Sequence, residues 1–213
     1  PQQNIDYCSK DKDFECYGEP STQGKRTDLE DIRKQIESGV DEREIAETHF
    51  SRWVVFRRSF EQYRSLLQKP TLRLDLSVYV IIGAAGAGKT RFSYEYGMRE
   101  GGIWMSSDPT LKWFDGYRGE PVALFDDFRG GSDYEWLLRL LDVYPLSVPV
   151  KGSFTNWKPK TIIITSNTDY ESWYPDQELS PLRRRVKKKA IISNSVSSYE
   201  EVKDFLNKTF GLV

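Results

Sequence analysis

Apolar residues along this chain follow two periods, and one gives way to the other near residue 73. From Thr27 they recur at spacings of three and four, which lines one face of a helix. Leu29, Ile32 and Ile36 share such a face, Thr27 and Glu30 have capping-box spacing, and Gly39 can close the helix. A second helix is predicted from about Asp41. A third is predicted after Ser51, with Trp53, Phe56, Phe60, Tyr63 and Leu67 on one face and Pro70 as its stop. Past residue 75 the apolar residues come instead as short runs, VYVII, IWMS, VALF and TIIIT, separated by the helix-length segments TRFSYEYGMRE and DYEWLLRLLDVY. That alternation predicts a mainly parallel sheet covered by helices. After Trp173 come a proline-flanked turn, the basic run RRRVKKK, an apolar AII and a final helical pattern, SYEEVKDFLNKTF. Residues 1–26 are polar and broken by Gly18, Pro20 and Gly24, which reads as the tail of a preceding domain and a linker.

Composition narrows this picture only a little. The 213 residues suffice for one main domain plus a small attachment, with a core that needs no disulfides. A formal net charge of -1 gives no overall basic field, so nucleic-acid binding would need a local patch. Cys8 and Cys16 lack the spacing of a zinc site and read as reduced thiols. No apolar run approaches the roughly 18 residues of a membrane span, and the first residues lack the apolar core of a secretory signal. The expectation is a soluble intracellular protein with no membrane partner.

The chemistry concentrates where the sheet pattern begins. Gly83, Gly88, Lys89 and Thr90 satisfy GxxxxGK[ST] between an apolar run and a helical pattern, and Gly86 adds backbone freedom. Such a turn aims backbone N–H groups and a helix N-terminus at phosphates. Lys89 would supply a mobile charge for the β- and γ-phosphates of ATP, and Thr90 a hydroxyl for Mg2+. VALFDD then ends a second strand in two carboxylates: Asp126 as the metal-side ligand, and Asp127 to orient or deprotonate an attacking water. TIIITSN ends a third strand at Asn167, whose amide can sit between the acidic groups and sense the γ-phosphate. By itself a strand-end Asn is usually a turn or cap, and its order after the other two motifs promotes it.

This order, P-loop, FDD and strand-end Asn within about ninety residues, resembles the superfamily 3 helicases, a compact branch of the AAA+ ATPases. KWFDGYRGEPVALFDDF, LDVYPLSVPVKG and IIITSN resemble the replication initiator (Rep) proteins of circoviruses and related circular single-stranded DNA viruses. DYCSKDKDFECYGEP and STQGKRTDL resemble the end of the Rep endonuclease domain and its linker. The resemblance implies an α/β P-loop NTPase, a three-layer sandwich with a parallel central sheet preceded by a small all-α oligomerisation domain. The implied divisions are 1–26 (endonuclease end and linker), 27–72 (helical oligomerisation), 73–175 (ATPase core) and 176–213 (C-terminal segment). It implies an ATP- and Mg2+-dependent DNA helicase of rolling-circle replication, working on single-stranded DNA as a homohexamer in the host nucleus.

The resemblance also assigns residues. Tyr7 would be the nicking nucleophile of a Y-x-x-K motif and Lys10 its companion. The paired histidines of that site are missing, since His49 is the sole histidine, so a further preceding portion is expected to complete it. SVPVKGSFTNWKPK would form a hairpin gripping single-stranded DNA, with Lys151 on a phosphate beside Gly152, and Phe154 or Trp157 stacking on a base or bracing the hairpin. Arg184, with Arg185 next, is implied as an arginine finger delivered to a neighbouring subunit's nucleotide. Lys187 to Lys189 read as a solvated face or as DNA or nuclear-import contacts. Two alternatives stay open: a P-loop small-molecule kinase, and a nucleotide-gated DNA scaffold that does not hydrolyse.

Overall fold

The computed structural model describes residues 27–67, 71–193 and 198–212. It divides into two compact units, Pro1–Gln68 and Lys69–Val213.

In the first unit, helices α1 (Thr27–Glu37), α2 (Glu42–Thr48) and α3 (Phe50–Leu67) follow the predicted period. Asp41 caps α2 by accepting a hydrogen bond from the Arg43 amide at 2.8 Å. The buried core is small: Ile32, Ile36 and Ile45, with Leu29, Val40, Phe60 and Tyr63 packed against it. Two polar ties add to it. Tyr63 Oη donates to Glu37 Oε1 at 2.6 Å, and Arg64 Nη2 donates to the Val40 carbonyl at 2.7 Å. No residue of α3 is fully buried, and Phe50, Val54, Val55 and Leu66 stand exposed along it.

The second unit is built on a five-stranded parallel sheet in the order β2-β3-β6-β1-β7. Its strands are β1 (Ser77–Ile82), β2 (Ile103–Met105), β3 (Val122–Phe125), β6 (Thr161–Ser166) and β7 (Lys188–Ile191). β1 and β6 run side by side from Ser77↔Thr161 to Ile82↔Ser166, every residue buried, which is why both read as unbroken apolar runs. Alternation along the strands feeds two cores. Val78, Val80, Phe125, Ile162 and Ile164 face α5 (Tyr134–Leu140), α6 (Ser180–Arg185) and Trp157. Tyr79, Ile81, Leu124 and Ile163 face α4 (Lys89–Arg99) and α7 (Tyr199–Phe210). The result is a three-layer α/β sandwich of the P-loop NTPase kind. A separate antiparallel hairpin, β4 (Ser147–Val150) and β5 (Ser153–Asn156), leaves this body between α5 and β6.

The C-terminal stretch contributes its own strand to the core sheet. β7 lies against β1, pairing Tyr79↔Lys188 through Ile82↔Ile191. This corrects the expectation that Lys187 to Lys189 form one solvated face. Lys187 Nζ donates to Ser77 Oγ at 3.0 Å, and Lys189 Nζ donates to Asp169 Oδ2 at 2.9 Å while lying 4.9 Å from the Tyr170 ring. Lysines suit a sheet edge because they discourage pairing with a foreign strand, and they hid this one behind a charge run.

Candidate functional site

Strands β1, β3 and β6 end at the same sheet edge, so the turns that leave them meet there. Gly83 opens the first turn by donating to the Ser166 carbonyl at 3.1 Å. Gly86 and Gly88 take φ of 79° and 84°, a left-handed backbone that other residues adopt only at a cost. Gly88 has no spare room either, since an added Cβ would lie 2.8 Å from the Tyr199 ring. α4 starts at the next residue, pointing its free N–H groups into the turn.

Lys89 is buried, and its ammonium is held inside the turn. Nζ donates to the carbonyls of Gly83 at 2.7 Å and Ala84 at 2.9 Å, and to Asn167 Oδ1 at 2.8 Å. Burial pushes its pKa down, against the opposing pull of Asp127 and Asp126. Asp126 Oδ1 accepts from Thr90 Oγ1 at 2.7 Å and from Thr165 Oγ1 at 2.6 Å. Asp127 takes φ of 48°, and its amide donates back to Thr165 Oγ1 at 2.9 Å. Its carboxylate accepts from Asn167 Nδ2 at 3.0 Å and from Arg129 Nη2 at 2.8 Å.

Lys89, Thr90, Asp126, Asp127 and Asn167 therefore form one hydrogen-bonded cluster around the glycine turn. Two members escaped the sequence reading. Thr165 is fully buried and joins both aspartates, and its only signal was a hydroxyl directly after the three isoleucines of the strand. Arg129 had none beyond lying two residues past Asp127. Among the described residues no group of three or more His, Cys, Asp or Glu side chains gathers as a metal cage. The Thr90–Asp126 oxygen pair still suits Mg2+, which prefers one or two protein oxygens together with phosphates and water. A crevice of about 210 Å³, lined by Ser106, Ser107, Asp108 and Phe128, opens beside Asp126.

The other expected residues lie elsewhere on the unit. Lys151 and Gly152 form the tip of the β4–β5 hairpin, Gly152 with φ of 85°. Lys151 is exposed, its side chain 79% accessible, and Phe154 beside it is 66% exposed. Trp157, in contrast, is 2% exposed, ringed by Trp104, Phe114, Tyr117 and Phe125, and its Nε1 donates to the Leu140 carbonyl at 3.0 Å. It braces the core. The three arginines of α6 diverge. Arg183 pairs with Glu171 at 3.0 Å, and Arg185 turns inward to Asp142 and to the Pro181 carbonyl. Arg184 is exposed and makes no hydrogen bond or ion pair among the described residues. Tyr7 and Lys10 lie outside the described residues.

Comparison with known proteins finds similarity over the span that carries this cluster. A family described as RNA helicase matches residues 79–168, the span that holds the whole cluster. Replication-associated proteins are similar over nearly the full chain. That of goose circovirus is 36% identical over 193 residues, covering 90% of this chain and 64% of its own length. That of beak and feather disease virus is 34% identical, covering 95% of this chain and 68% of its own. That of human associated cyclovirus 1 is 31% identical, covering 89% and 70%. The chain thus spans somewhat under two thirds of the goose circovirus protein.

Proposed function

The chain belongs to the replication-associated proteins of circoviruses and their relatives, and from that premise we propose that it carries the motor of a viral replication initiator, an ATP-dependent DNA helicase. The observation that carries the reading is the double engagement of Asn167, which accepts from Lys89 and donates to Asp127. One amide ties the phosphate-side cation to the water-side carboxylate.

On this reading the amides of residues 83–90 wrap the triphosphate, and Lys89 leaves the Gly83 and Ala84 carbonyls for the β- and γ-phosphates. Thr90 and Asp126 would hold Mg2+, which would supply neutralisation of the phosphate charge. Asp127 accepts a proton from the water that attacks the γ-phosphorus as the bond to the β–γ bridging oxygen breaks, giving ADP and phosphate. Asn167 loses Lys89 as triphosphate arrives and so reports its presence to Asp127. Arg184, exposed on α6, serves as the finger delivered to the nucleotide of a neighbouring copy, whereas Arg185 holds α6 in place through Asp142.

A finger supplied in trans needs an assembly. The helical unit, residues 27–72 in the expected division, is the proposed collar of a homohexamer. Its three-isoleucine core and the exposed Phe50, Val54, Val55 and Leu66 support that role. Lys151, with Gly152 and Phe154, is the proposed contact for single-stranded DNA. Nicking through Tyr7 and Lys10 is proposed for the longer protein only, since the motif needs paired histidines and His49, the sole histidine here, is engaged with Gln35 at 3.0 Å. The host nucleus is the proposed site of action. No described helix is long and apolar enough to cross a membrane.

Phosphate release from ATP with Mg2+, measured with and without single-stranded DNA, tests the reading. Release that rises with DNA supports a motor. ATP bound but never hydrolysed under assembly conditions would instead identify a nucleotide-gated scaffold.

A further inference from the structure

The turn between β2 and β3 places an acidic residue on the hairpin lysine. Phe114 is fully buried, 5.2 Å from the Trp104 ring and 5.0 Å from Trp157, and its amide donates to the Pro149 carbonyl at 2.9 Å. This lays the segment alongside β4. Trp104 Nε1 donates to the Asp115 carbonyl at 3.0 Å, fixing the next residue, and Gly116 with φ of 81° turns the chain away. Asp115 Oδ1 accepts from the Lys151 amide at 2.7 Å, while Oδ2 lies 3.4 Å from Lys151 Nζ. The carboxylate is held by the Lys151 amide, and its own residue by Trp104 at the carbonyl, whereas the lysine side chain is almost free in solvent. When the pair opens, the lysine is the partner that moves.

We propose that Asp115 is a built-in counter-ion for the hairpin, occupying Lys151 until a nucleic-acid phosphate displaces it and thereby setting the affinity and salt dependence of the grip. The inference rests on the reading of Lys151 as a DNA contact. A surface pair of this kind is weak enough for phosphate to compete with, so its removal changes affinity by about two- to fivefold. It also has a signature in salt. Each lysine placed on a single-strand phosphate releases condensed cations, with a log–log slope near -0.7. An Asp115 abandoned by Lys151 takes up a cation in return and flattens that slope. A merely structural Asp115 would do neither.

Asp115→Asn keeps the acceptor for the Lys151 amide and removes only the charge. Binding of a fluorescein-labelled oligothymidylate to the full chain, followed over a range of NaCl concentrations, is compared for the parent, Asp115→Asn, Lys151→Ala and the double variant. Asp115→Asn is expected to bind about threefold more tightly at low salt, with a steeper salt slope, and both effects are expected to vanish in the Lys151→Ala background. If Lys151→Ala weakens binding but Asp115→Asn leaves it unchanged or weaker, the counter-ion role is wrong while the DNA-contact reading stands. If Lys151→Ala binds like the parent, the DNA-contact reading fails and takes this inference with it.

Discussion

Thr165→Val removes one hydroxyl from a fully buried position and leaves the shape of the side chain nearly unchanged. That hydroxyl makes two bonds, donating to Asp126 Oδ1 at 2.6 Å and accepting from the Asp127 amide at 2.9 Å. Asp126 keeps Thr90 as a donor and partial access to solvent, so the loss is less than that of a wholly orphaned charge. A hydrogen bond to a charged group plus an unpaired amide comes to about 1–3 kcal/mol. In a unit of this size that corresponds to a melting point lower by roughly 3–9 °C. The amide bond also holds Asp127 at φ of 48°, so the variant frees the carboxylate proposed to take the proton from water. Phosphate release at saturating ATP is expected to fall by about ten- to a hundredfold, the scale of an ångström-level misplacement. ATP affinity should change much less. Thr165→Ser, which retains the hydroxyl, should recover most of the rate. A Thr165→Val protein with parental melting and parental turnover would show that the hydroxyl does not organise the two aspartates.

Gly130 takes φ of 82°, and an added Cβ would lie 2.2 Å from the Trp173 carbonyl oxygen, so Gly130→Ala should lower stability by at least about 2 kcal/mol in denaturant melts. Arg185→Ala should lower the melting point by breaking the inward pair with Asp142, whereas Arg184→Ala should lose the rise of specific phosphate release with protein concentration that a finger in trans produces. Burial opposes ionisation of Asp169, but its hydrogen bond from Lys189 and backbone amides outweigh it and hold the carboxyl below its ordinary value. That hydrogen bond in turn raises Lys189. The pair's stabilisation is therefore complete between the ordinary Asp and Lys values, about 3.9 and 10.4. It is lost as pH falls through the lowered Asp169 value or rises through the raised Lys189 value. Asp169→Asn should flatten the melting profile at both extremes, and an unchanged profile would count against the pair.

What could be read in advance follows from where the physics is local. The P-loop announced itself because a doubly buried strand, left-handed glycines and a helix start fall within a dozen residues, each with its own compositional mark. β3 and β6 were legible for the same reason. β7 was not, because it is a four-residue edge strand that opens with two adjacent lysines, one on each face, so no apolar alternation marks it. Phe154 lies within β5 and Trp157 just past its end, three residues on, and only tertiary packing decides that one is bare and the other sealed in the core. Thr165 and Asp115 act through partners 39 and 36 residues away in sequence, a relation that no local pattern encodes.

The claim beneath this account is that the turn of residues 83–90, facing Asp126, binds a nucleotide together with Mg2+. Calorimetric titration of ATP into the parent chain and into Lys89→Ala, each with Mg2+ and with EDTA, measures it directly. The account predicts saturable binding to the parent that weakens when Mg2+ is removed, and an affinity at least about tenfold lower in Lys89→Ala. No binding by the parent, or the same affinity in both proteins whether or not Mg2+ is present, would contradict it.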